Sequence, residues 1–374
     1  MTFTPFALET WQSDFEQSVR FNLADSGVHP VSLHELVDDP DAVRRLLDVH
    51  LHYPFVNGTV ALREKIAALY GATAVDEVLV TVGAAEANMA VVQSLVEPGD
   101  RVVVMEPGYR QVWGAVRNLG AEPVSFQLDA SRGWRPDLDA FDALVTPGTK
   151  LVALTNPNNP TGTILTPAEM DRIVAAVARV GAWLLVDEVY RGTELWTDVE
   201  TPSFRGRYDR VVVTNSLSKA YGLPGLRVGW IVAPRDVIQA AWRRHEYSTI
   251  STGMLSMHLA EIALTPGRRE AILRRNRVFT RAGYAQIEAF IARHGNLFSI
   301  VRPEATALAF VRYSPSVDSI AMVTAIKDRG DVLVGAGDHF GVPQHLRITH
   351  GLKAEVVAEA LERIARVVGE MAEE

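Results

Sequence analysis

The residues around Lys219 are suited to covalent chemistry on a carbonyl compound. Ser216 and Ser218 precede Lys219, and Arg227 lies eight residues after it. A lysine amine forms Schiff bases with carbonyl groups, and two hydroxyls with a guanidinium suit an anionic group. The sequence therefore predicts that Lys219 bonds a carbonyl compound beside an anion site. The alternative is a solvated surface lysine, which is the usual environment of this residue type.

Polar side chains also follow two other apolar runs. Asp187 and Tyr190 come after the run at 183–186, and Asn159 lies in a turn that contains two prolines and a glycine. Ligands of α/β sheets bind at the carboxyl ends of buried strands. A carboxylate there can pair with the ring nitrogen of an organic cofactor, while Tyr190 and Asn159 can hydrogen-bond a ring oxygen. The alternatives are a helix-capping role for Asp187 and a plain tight turn around Asn159.

A turn of small residues, Gly83, Ala84 and Ala85, follows the apolar run at 78–82 and precedes a helical pattern. Such a turn presents backbone N–H groups and the positive end of a helix dipole to a phosphate. Many strand–helix turns share this composition. Neither a dinucleotide-binding fingerprint nor a P-loop occurs, and the common zinc-protease and hydrolase motifs are missing.

Composition limits the classes of function. The chain has 374 residues, a formal net charge of −8 and no cysteine. Disulfides and thiol chemistry are therefore excluded, and the acidic balance disfavours nucleic-acid and membrane-surface roles. No apolar stretch has the length of a membrane span, and the N-terminal residues lack the apolar core of a signal peptide. We expect a cytoplasmic protein with no metal site.

The order of apolar runs predicts the fold class. Runs at 78–82, 101–105, 151–155, 183–186, 210–214 and 228–232 alternate with helical patterns, which is typical of an α/β fold with a mostly parallel sheet and helices on both faces. After a long helical stretch at 268–293, shorter strands and two helices indicate a smaller α+β domain. We predict a large domain at 45–275 and a small domain formed by 1–44 and 276–374.

Seven motifs, taken together and in order, resemble the class I and II aminotransferases, which are pyridoxal-phosphate enzymes of fold type I. The motifs are residues 53–58 with Leu62-Arg63, the turn at 83–85, Pro107-Gly108-Tyr109, the turn at 156–162, Asp187 with Tyr190, residues 216–227, and Leu346-Arg347. The resemblance covers the chain from about Tyr53 to its end.

The resemblance implies a role for each matched residue. Lys219 would hold pyridoxal phosphate as a Schiff base and move protons, with Asp187 and Tyr190 as the other catalytic residues. Cofactor contacts are implied for Gly83, Ala84, Ala85, Tyr109, Asn159, Asp187, Tyr190, Ser216, Ser218, Lys219, Arg227 and Tyr53. In this family the tyrosine at the position of Tyr53 reaches the phosphate of the neighbouring subunit, which implies a homodimer. Arg347 and Asn159 would contact the substrate, with Arg347 on its α-carboxylate.

Two segments depart from the family pattern. The segment at 22–30 replaces a Gly-x-Pro-Asp-Phe-like stretch, and the segment at 335–341 has Ala-Gly where Pro-Gly is commoner. Because both segments face the substrate in the family, we expect Gly27, His29 and Asp338 to bind substrate. Carboxylates at Asp25 and Asp338 would suit a cationic side chain; solvated loop positions are the alternative.

The segment at 26–29 and the run at 218–230 also resemble capreomycidine synthases, which cyclise a hydroxylated arginine by elimination and ring closure on the same fold. The main hypothesis is amino-group transfer between an α-amino acid and an α-keto acid, with an arginine-derived substrate as one possibility. Elimination with cyclisation is the alternative, since both reactions use the same cofactor residues. A DNA-binding regulator of this fold would need an additional N-terminal domain and is disfavoured.

Overall fold

A large sheet forms the centre of the molecule. The computed structural model describes residues 3–373. Strands are numbered along the chain, and the sheet contains, from edge to edge, β2 (Val78–Thr81), β9 (Gly229–Val232), β8 (Val211–Ser216), β7 (Trp183–Asp187), β6 (Thr149–Thr155), β3 (Arg101–Glu106), β4 (Glu122–Asp129) and β5 (Arg135–Pro136). Strands β8, β7, β6, β3 and β4 pair in parallel, whereas β9 is antiparallel to both β2 and β8. The predicted mostly parallel α/β sheet is therefore confirmed.

Two apolar layers cover this sheet. Side chains of one face, such as Val103 and Val213, belong to one buried cluster, and side chains of the other face, such as Val104 and Val212, belong to another. This burial on both faces explains why the strands are continuous apolar runs rather than alternating ones. Strand β4 was not predicted, because its mixed sequence with Pro123 and Gln127 lacks such a run.

Helices surround the sheets and carry recognisable end signals. Helix α8, for example, begins after Thr166, whose side chain and that of Glu169 form a capping box, and ends before Gly181 in the left-handed conformation. The helices are α1 (Ala7–Phe15), α2 (Leu33–Leu36), α3 (Pro40–Leu47), α4 (Val60–Ala67), α5 (Gly83–Leu95), α6 (Gln111–Asn118), α7 (Leu138–Leu144), α8 (Pro167–Val180), α9 (Arg235–Ser248), α10 (Met254–Ala263), α11 (Arg268–Arg293), α12 (Ser319–Gly330) and α13 (Ala354–Glu373).

The C-terminal part of the chain has its own sheet and apolar core. Antiparallel pairing joins β10 (Phe298–Ile300), β11 (Leu308–Tyr313), β14 (His345–Thr349) and β13 (Gly335–Ala336). Near the N-terminus, β1 (Phe21–Asn22) pairs in parallel with β12 (Val332–Leu333). The cluster beneath this sheet includes Phe21 and Leu23 as well as side chains of α11 and α13. The N-terminal segment thus packs with the C-terminal part, while the exact domain boundaries at 45 and 275 stay a prediction.

Several chain segments end at one edge of the large sheet. The carboxyl ends of β6, β7 and β8 meet there, because these strands are parallel, and α5 begins at the same edge after β2. This is the edge at which open α/β sheets place ligands. Within residues 3–373, no helix combines the length and the hydropathy that crossing a bilayer requires.

Candidate active site

A cavity of about 350 Å³ opens at this edge of the sheet. The ends of β7 and β8 form its floor, and the first turn of α5 forms one wall. Helix α1, near the N-terminus of the chain, forms another wall. Ten of the twelve predicted cofactor residues line the cavity: Ala84, Ala85, Tyr109, Asn159, Asp187, Tyr190, Ser216, Ser218, Lys219 and Arg227. Residues separated by more than 100 positions are therefore brought to one place.

Lys219 extends into the cavity from the loop after β8. Its Nζ atom donates a hydrogen bond of 2.7 Å to Ser26 Oγ and lies 3.7 Å from Asp25 Oδ1. The side chain is about one-quarter exposed, so a small molecule in the cavity can reach Nζ. The other lysines do not line this cavity.

Asp187 ends β7 deep in the protein, with its carboxylate on the cavity floor. Burial raises the pKa of Asp187, although hydrogen bonds from Asn88 Nδ2 at 3.0 Å and the Val189 N–H at 3.1 Å oppose the increase. No cation lies within ion-pair distance of this carboxylate among the described residues. A protonated ring nitrogen would supply the missing positive partner.

Tyr190 and Asn159 form one hydrogen-bonded pair beside Lys219. Asn159 Nδ2 donates to the Tyr190 hydroxyl oxygen at 3.1 Å, and both side chains are almost fully buried. Burial raises the pKa of Tyr190, so its hydroxyl stays protonated. Tyr109 stands on another wall and donates from its hydroxyl to Glu9 Oε1 at 2.6 Å.

The far end of the cavity is suited to an anion. The hydroxyls of Ser216 and Ser218, the Arg227 guanidinium and the backbone of Ala84 and Ala85 line it. Gly83 does not itself line the cavity, but it has φ +77° and an added Cβ would lie 2.5 Å from Arg227 Nη2. Only glycine therefore permits the close packing of Arg227 against the first turn of α5.

Arg347 lies behind Asn159, on β14. Its side chain is 1% exposed; Nη1 donates to Asn159 Oδ1 at 3.3 Å, Nη2 donates to the Ala24 carbonyl, and Nε lacks a partner among the described residues. Burial lowers the pKa of Arg347, and the nearby Tyr190 and Asp25 raise it. A carboxylate ligand would relieve the cost of this buried charge.

Besides Gly83 and Arg347, four more predicted site residues lie outside the cavity wall: Tyr53, Gly27, His29 and Asp338. Tyr53 is 85% exposed and lines a separate groove, so its contact with another subunit's phosphate stays a prediction. Gly27 is buried beneath the cavity, where a Cβ would lie 3.5 Å from Asp25. The His29 ring packs against Phe279 with centroids 5.1 Å apart.

Asp338 has a structural partner on α12. Its carboxylate accepts hydrogen bonds from the Ser319 hydroxyl and backbone N–H, and so fixes the first turn of that helix. Substrate contacts of Gly27, His29 and Asp338 stay a prediction.

Sequence reasoning overlooked three groups of cavity residues. Asn88 lies on α5 and links Asp187 to Thr214, whose hydroxyl donates to Asn88 Oδ1 at 2.7 Å. Ser26 contacts Lys219 directly. The face of α1 toward the cavity is polar, with Glu9, Gln12 and Ser13, and the C-cap residue Glu16 continues this face. The available signal was the spacing i, i+3, i+4, i+7 of these polar residues on one face of a helix.

Pyridoxal phosphate, the cofactor that the sequence resemblance implies, fits this arrangement. The buried Asp187 carboxylate requires a positive partner, Lys219 offers an amine, and the far end of the cavity offers hydroxyl, guanidinium and amide donors. These three features line one cavity, and a pyridine ring with a phosphate arm needs all three. No group of three or more His, Asp or Glu side chains suited to a metal ion occurs in residues 3–373.

Comparisons with known proteins agree with this reading of the cavity. The family model "Aminotransferase class I and II" matches residues 47–364. The arginine–pyruvate transaminase of Pseudomonas aeruginosa is 32% identical, over 90% of this chain and 89% of that protein. Capreomycidine synthase of Streptomyces vinaceus is 31% identical, over 97% of this chain and 93% of that protein.

Among solved structures, a pyridoxal-phosphate-dependent aminotransferase from Streptococcus suis superposes with a TM-score of 0.93. It is 30% identical and covers 100% of both chains. The family model spans most of the sequence, and the structural match extends over the whole molecule. The chain therefore belongs to the class I and II aminotransferases, which are pyridoxal-phosphate-dependent enzymes.

Proposed function

We propose that this enzyme transfers an amino group between an α-amino acid and an α-keto acid, with an amino acid that carries a cationic side chain as its donor. One observation carries the proposal: Lys219, Asp187 and the Tyr190–Asn159 pair face a single cavity that has an anion-binding end. This is the set of groups that amino-group transfer on pyridoxal phosphate requires.

Each side chain has a separate task in the proposed reaction. Bound pyridoxal phosphate supplies the electron sink for the charge that develops at the substrate α-carbon. Asp187 keeps the ring nitrogen protonated, since a buried carboxylate and a nearby cation stabilise each other. Tyr190 and Asn159 orient the ring oxygen, and the amine of Lys219 removes and returns the α-proton.

Binding groups at the two ends of the cavity orient the reactants. Ser216, Ser218 and Arg227 hold the phosphate, together with the N–H groups at the start of α5. Arg347 binds the substrate α-carboxylate. Support for this role comes from its burial, its unpartnered Nε and its contact with Asn159, which lines the cavity.

The cavity wall on α1 supports a cationic substrate. Glu9 and Glu16 face the cavity from this helix, and a guanidinium or ammonium group would form charge-assisted hydrogen bonds with them. These carboxylates would repel an aspartate or glutamate side chain. The arginine–pyruvate transaminase among the relatives is consistent with an arginine-like donor.

Elimination with ring closure of a hydroxylated arginine is a second candidate. The similarity to capreomycidine synthase over nearly the whole chain favours it. The two reactions differ in their products. Transfer leaves the amino group on the cofactor and releases a keto acid. Cyclisation produces no aminated cofactor and no keto acid. Mixing the holoenzyme with arginine and, separately, with hydroxylated arginine distinguishes them: transfer yields pyridoxamine phosphate and a keto acid, whereas elimination with ring closure yields water and a cyclic amino acid from hydroxylated arginine alone.

The assignment of Lys219 tests the proposal as a whole. Borohydride reduction of the holoenzyme should attach the cofactor covalently to Lys219, and peptide mapping would locate the adduct. Lys219→Ala should not form the adduct, and its activity should be at least 100-fold lower. The control is Lys150→Ala, because Lys150 lies on β6 outside the cavity. This variant should retain both the adduct and the activity. An adduct that persists in Lys219→Ala contradicts the proposal.

A further inference from the structure

The segment at 25–26 is in direct contact with the Lys219 amine. Nζ donates to Ser26 Oγ at 2.7 Å, and Asp25 Oδ1 lies 3.7 Å away. Ser26 also hydrogen-bonds the Tyr190 hydroxyl, and its side chain is buried. A hydrogen-bonded chain therefore runs from Lys219 through Ser26 and Tyr190 to Asn159.

The backbone of this segment is held on both sides. The Leu23 N–H donates to the Leu333 carbonyl at 2.8 Å, the Thr349 N–H donates to the Leu23 carbonyl at 2.9 Å, and the His29 N–H donates to the Gly351 carbonyl at 2.7 Å. Ser26 is consequently presented to Lys219 by a segment whose flanking residues are anchored to β12, β14 and Gly351. A fixed acceptor of this kind can hold a flexible lysine in one position.

Asp25 supplies negative charge at the same place. The surrounding protein partly desolvates this carboxylate, which opposes ionisation, but the Lys219 charge and the N–H groups of Ser26 and Gly27 lower the pKa of Asp25. More than half of its side chain remains accessible from the cavity. Sequence reasoning had assigned Asp25 to a substrate side chain, whereas the structure places it beside the lysine.

We propose that Asp25 and Ser26 form a docking position for the Lys219 amine whenever that amine is released from the cofactor. Ser26 is a positioning residue, and the inference rests on the proposed function of Lys219. When Nζ takes the α-proton, a C–H bond breaks, an N–H bond forms on the lysine lone pair, and the electron pair stays with the substrate carbon. The resulting ammonium has three N–H groups, of which Ser26 Oγ accepts one while Asp25 balances the charge.

The docking position distinguishes released from linked lysine. A protonated Schiff-base nitrogen has one N–H, whereas a released ammonium has three, so Ser26 and Asp25 stabilise the released form more. Removing Ser26 should therefore slow proton transfer without weakening cofactor attachment. A residue with a purely structural role would do the opposite, because loosening the cavity weakens cofactor binding.

The test compares holoenzymes of Ser26→Ala, Ser26→Thr and the wild type, with Ser94→Ala as the matched control. Ser94 lies on α5, outside the cavity, and its hydroxyl donates to the Ala90 carbonyl of the same helix. In Ser26→Ala we expect kcat to fall about 10-fold, as for loss of a hydrogen bond to a charged group. KM and the cofactor dissociation constant should remain within about twofold. Ser26→Thr should restore most of kcat.

A kinetic isotope effect supplies the readout that a structural role would not move. With an α-deuterated amino acid, the isotope effect on kcat should rise in Ser26→Ala, because α-proton transfer becomes the slowest step. Asp25→Asn should also lower kcat. Because Asp25 is more exposed than Ser26, this variant provides a second test if Ser26→Ala folds poorly. The inference is overturned if kcat and the isotope effect do not change, or if weaker cofactor binding accounts for the loss. In either case the borohydride adduct on Lys219 would still report on the proposed function.

Discussion

At the scale of single residues, the surroundings of a side chain decide its chemistry. Asp187 and Asp338 are both carboxylates near apolar segments. Asp187 follows the run at 183–186, and Asp338 precedes the strand at 345–349. Asp187 has neutral hydrogen-bond partners and a raised pKa deep in the cavity, so it is poised to pair with a cation. The Asp338 carboxylate accepts two hydrogen bonds from Ser319 in the first turn of α12. The same functional group is thus reactive at one position and structural at the other.

Asp187→Ala should separate cofactor binding from catalysis. The phosphate contacts at Ser216, Ser218 and Arg227 remain, so the variant should still bind pyridoxal phosphate. Turnover should fall by about 100-fold or more, since a preorganised charge next to the reacting system has been removed. Stopped-flow absorbance of the bound cofactor would measure both quantities. Asp236→Ala, an exposed position on α9, is the control; near wild-type turnover in Asp187→Ala would refute the role.

At the scale of elements, α1 determines what the cavity presents to a substrate side chain. It is anchored by Trp11, whose Nε1 donates to the Val334 carbonyl at 3.0 Å, and by Gln12, whose Nε2 donates to the Ala24 carbonyl. Phe6 packs on Tyr109 with ring centroids 4.8 Å apart. Because these contacts orient the helix, Glu9 and the C-cap residue Glu16 line the cavity.

Charge on α1 should control the choice of substrate. Arginine and citrulline have the same length, but only arginine carries a guanidinium. Glu16→Gln should raise KM for arginine about 10-fold with kcat little changed, which is the pattern of lost ground-state binding. KM for citrulline should not change. Steady-state kinetics with both amino acids would measure this.

Asp14→Asn is the matched control, since Asp14 lies on α1 but does not line the cavity. Glu9→Gln is a weaker probe than Glu16→Gln, because Glu9 also accepts the Tyr109 hydroxyl. Equal effects of Glu16→Gln on arginine and citrulline would exclude recognition of the cationic group by this helix.

At the scale of the whole molecule, exposed apolar side chains indicate assembly. Tyr53 and Leu51 are 85% and 77% exposed, and with Leu255 they line a groove. Tyr247, at the end of α9, is 97% exposed, and nearby His245 contacts the Val56 carbonyl at 3.1 Å. Large exposed apolar groups of this kind mark protein–protein interfaces. We infer a homodimer in which this surface meets its own copy and Tyr53 completes the partner's phosphate site.

Disrupting this surface should affect assembly and cofactor binding together. Leu51→Glu should shift the protein toward monomer in sedimentation velocity and weaken cofactor binding at least severalfold, because a buried charge opposes association. Val199→Glu, at an apolar position that is equally exposed but outside this surface, should leave both properties unchanged. A fully active wild-type monomer at assay concentration would contradict the dimer.

The sequence by itself determined the elements and the chemistry of the cofactor site. Helix α11 has the predicted bounds, and six predicted strands occur in the sheet, because local periodicity encodes secondary structure. Lys219, Asp187, Tyr190 and Asn159 were predicted to lie together because each lies at the end of a buried strand or within four residues of it, and all four line the cavity.

Only the tertiary structure decided what lies opposite these motifs. Ser26 contacts Lys219 across 193 positions of sequence, and Tyr109 contacts Glu9 across 100. No local pattern encodes such pairs, since they depend on how the N-terminal segment crosses to β12 and β14. Tertiary packing also directed Asp338 to α12 and His29 to Phe279. Short sequence motifs therefore predict the residues at the cofactor end of the cavity. The residues on its other side, from α1 and positions 25–26, are brought there by long-range packing.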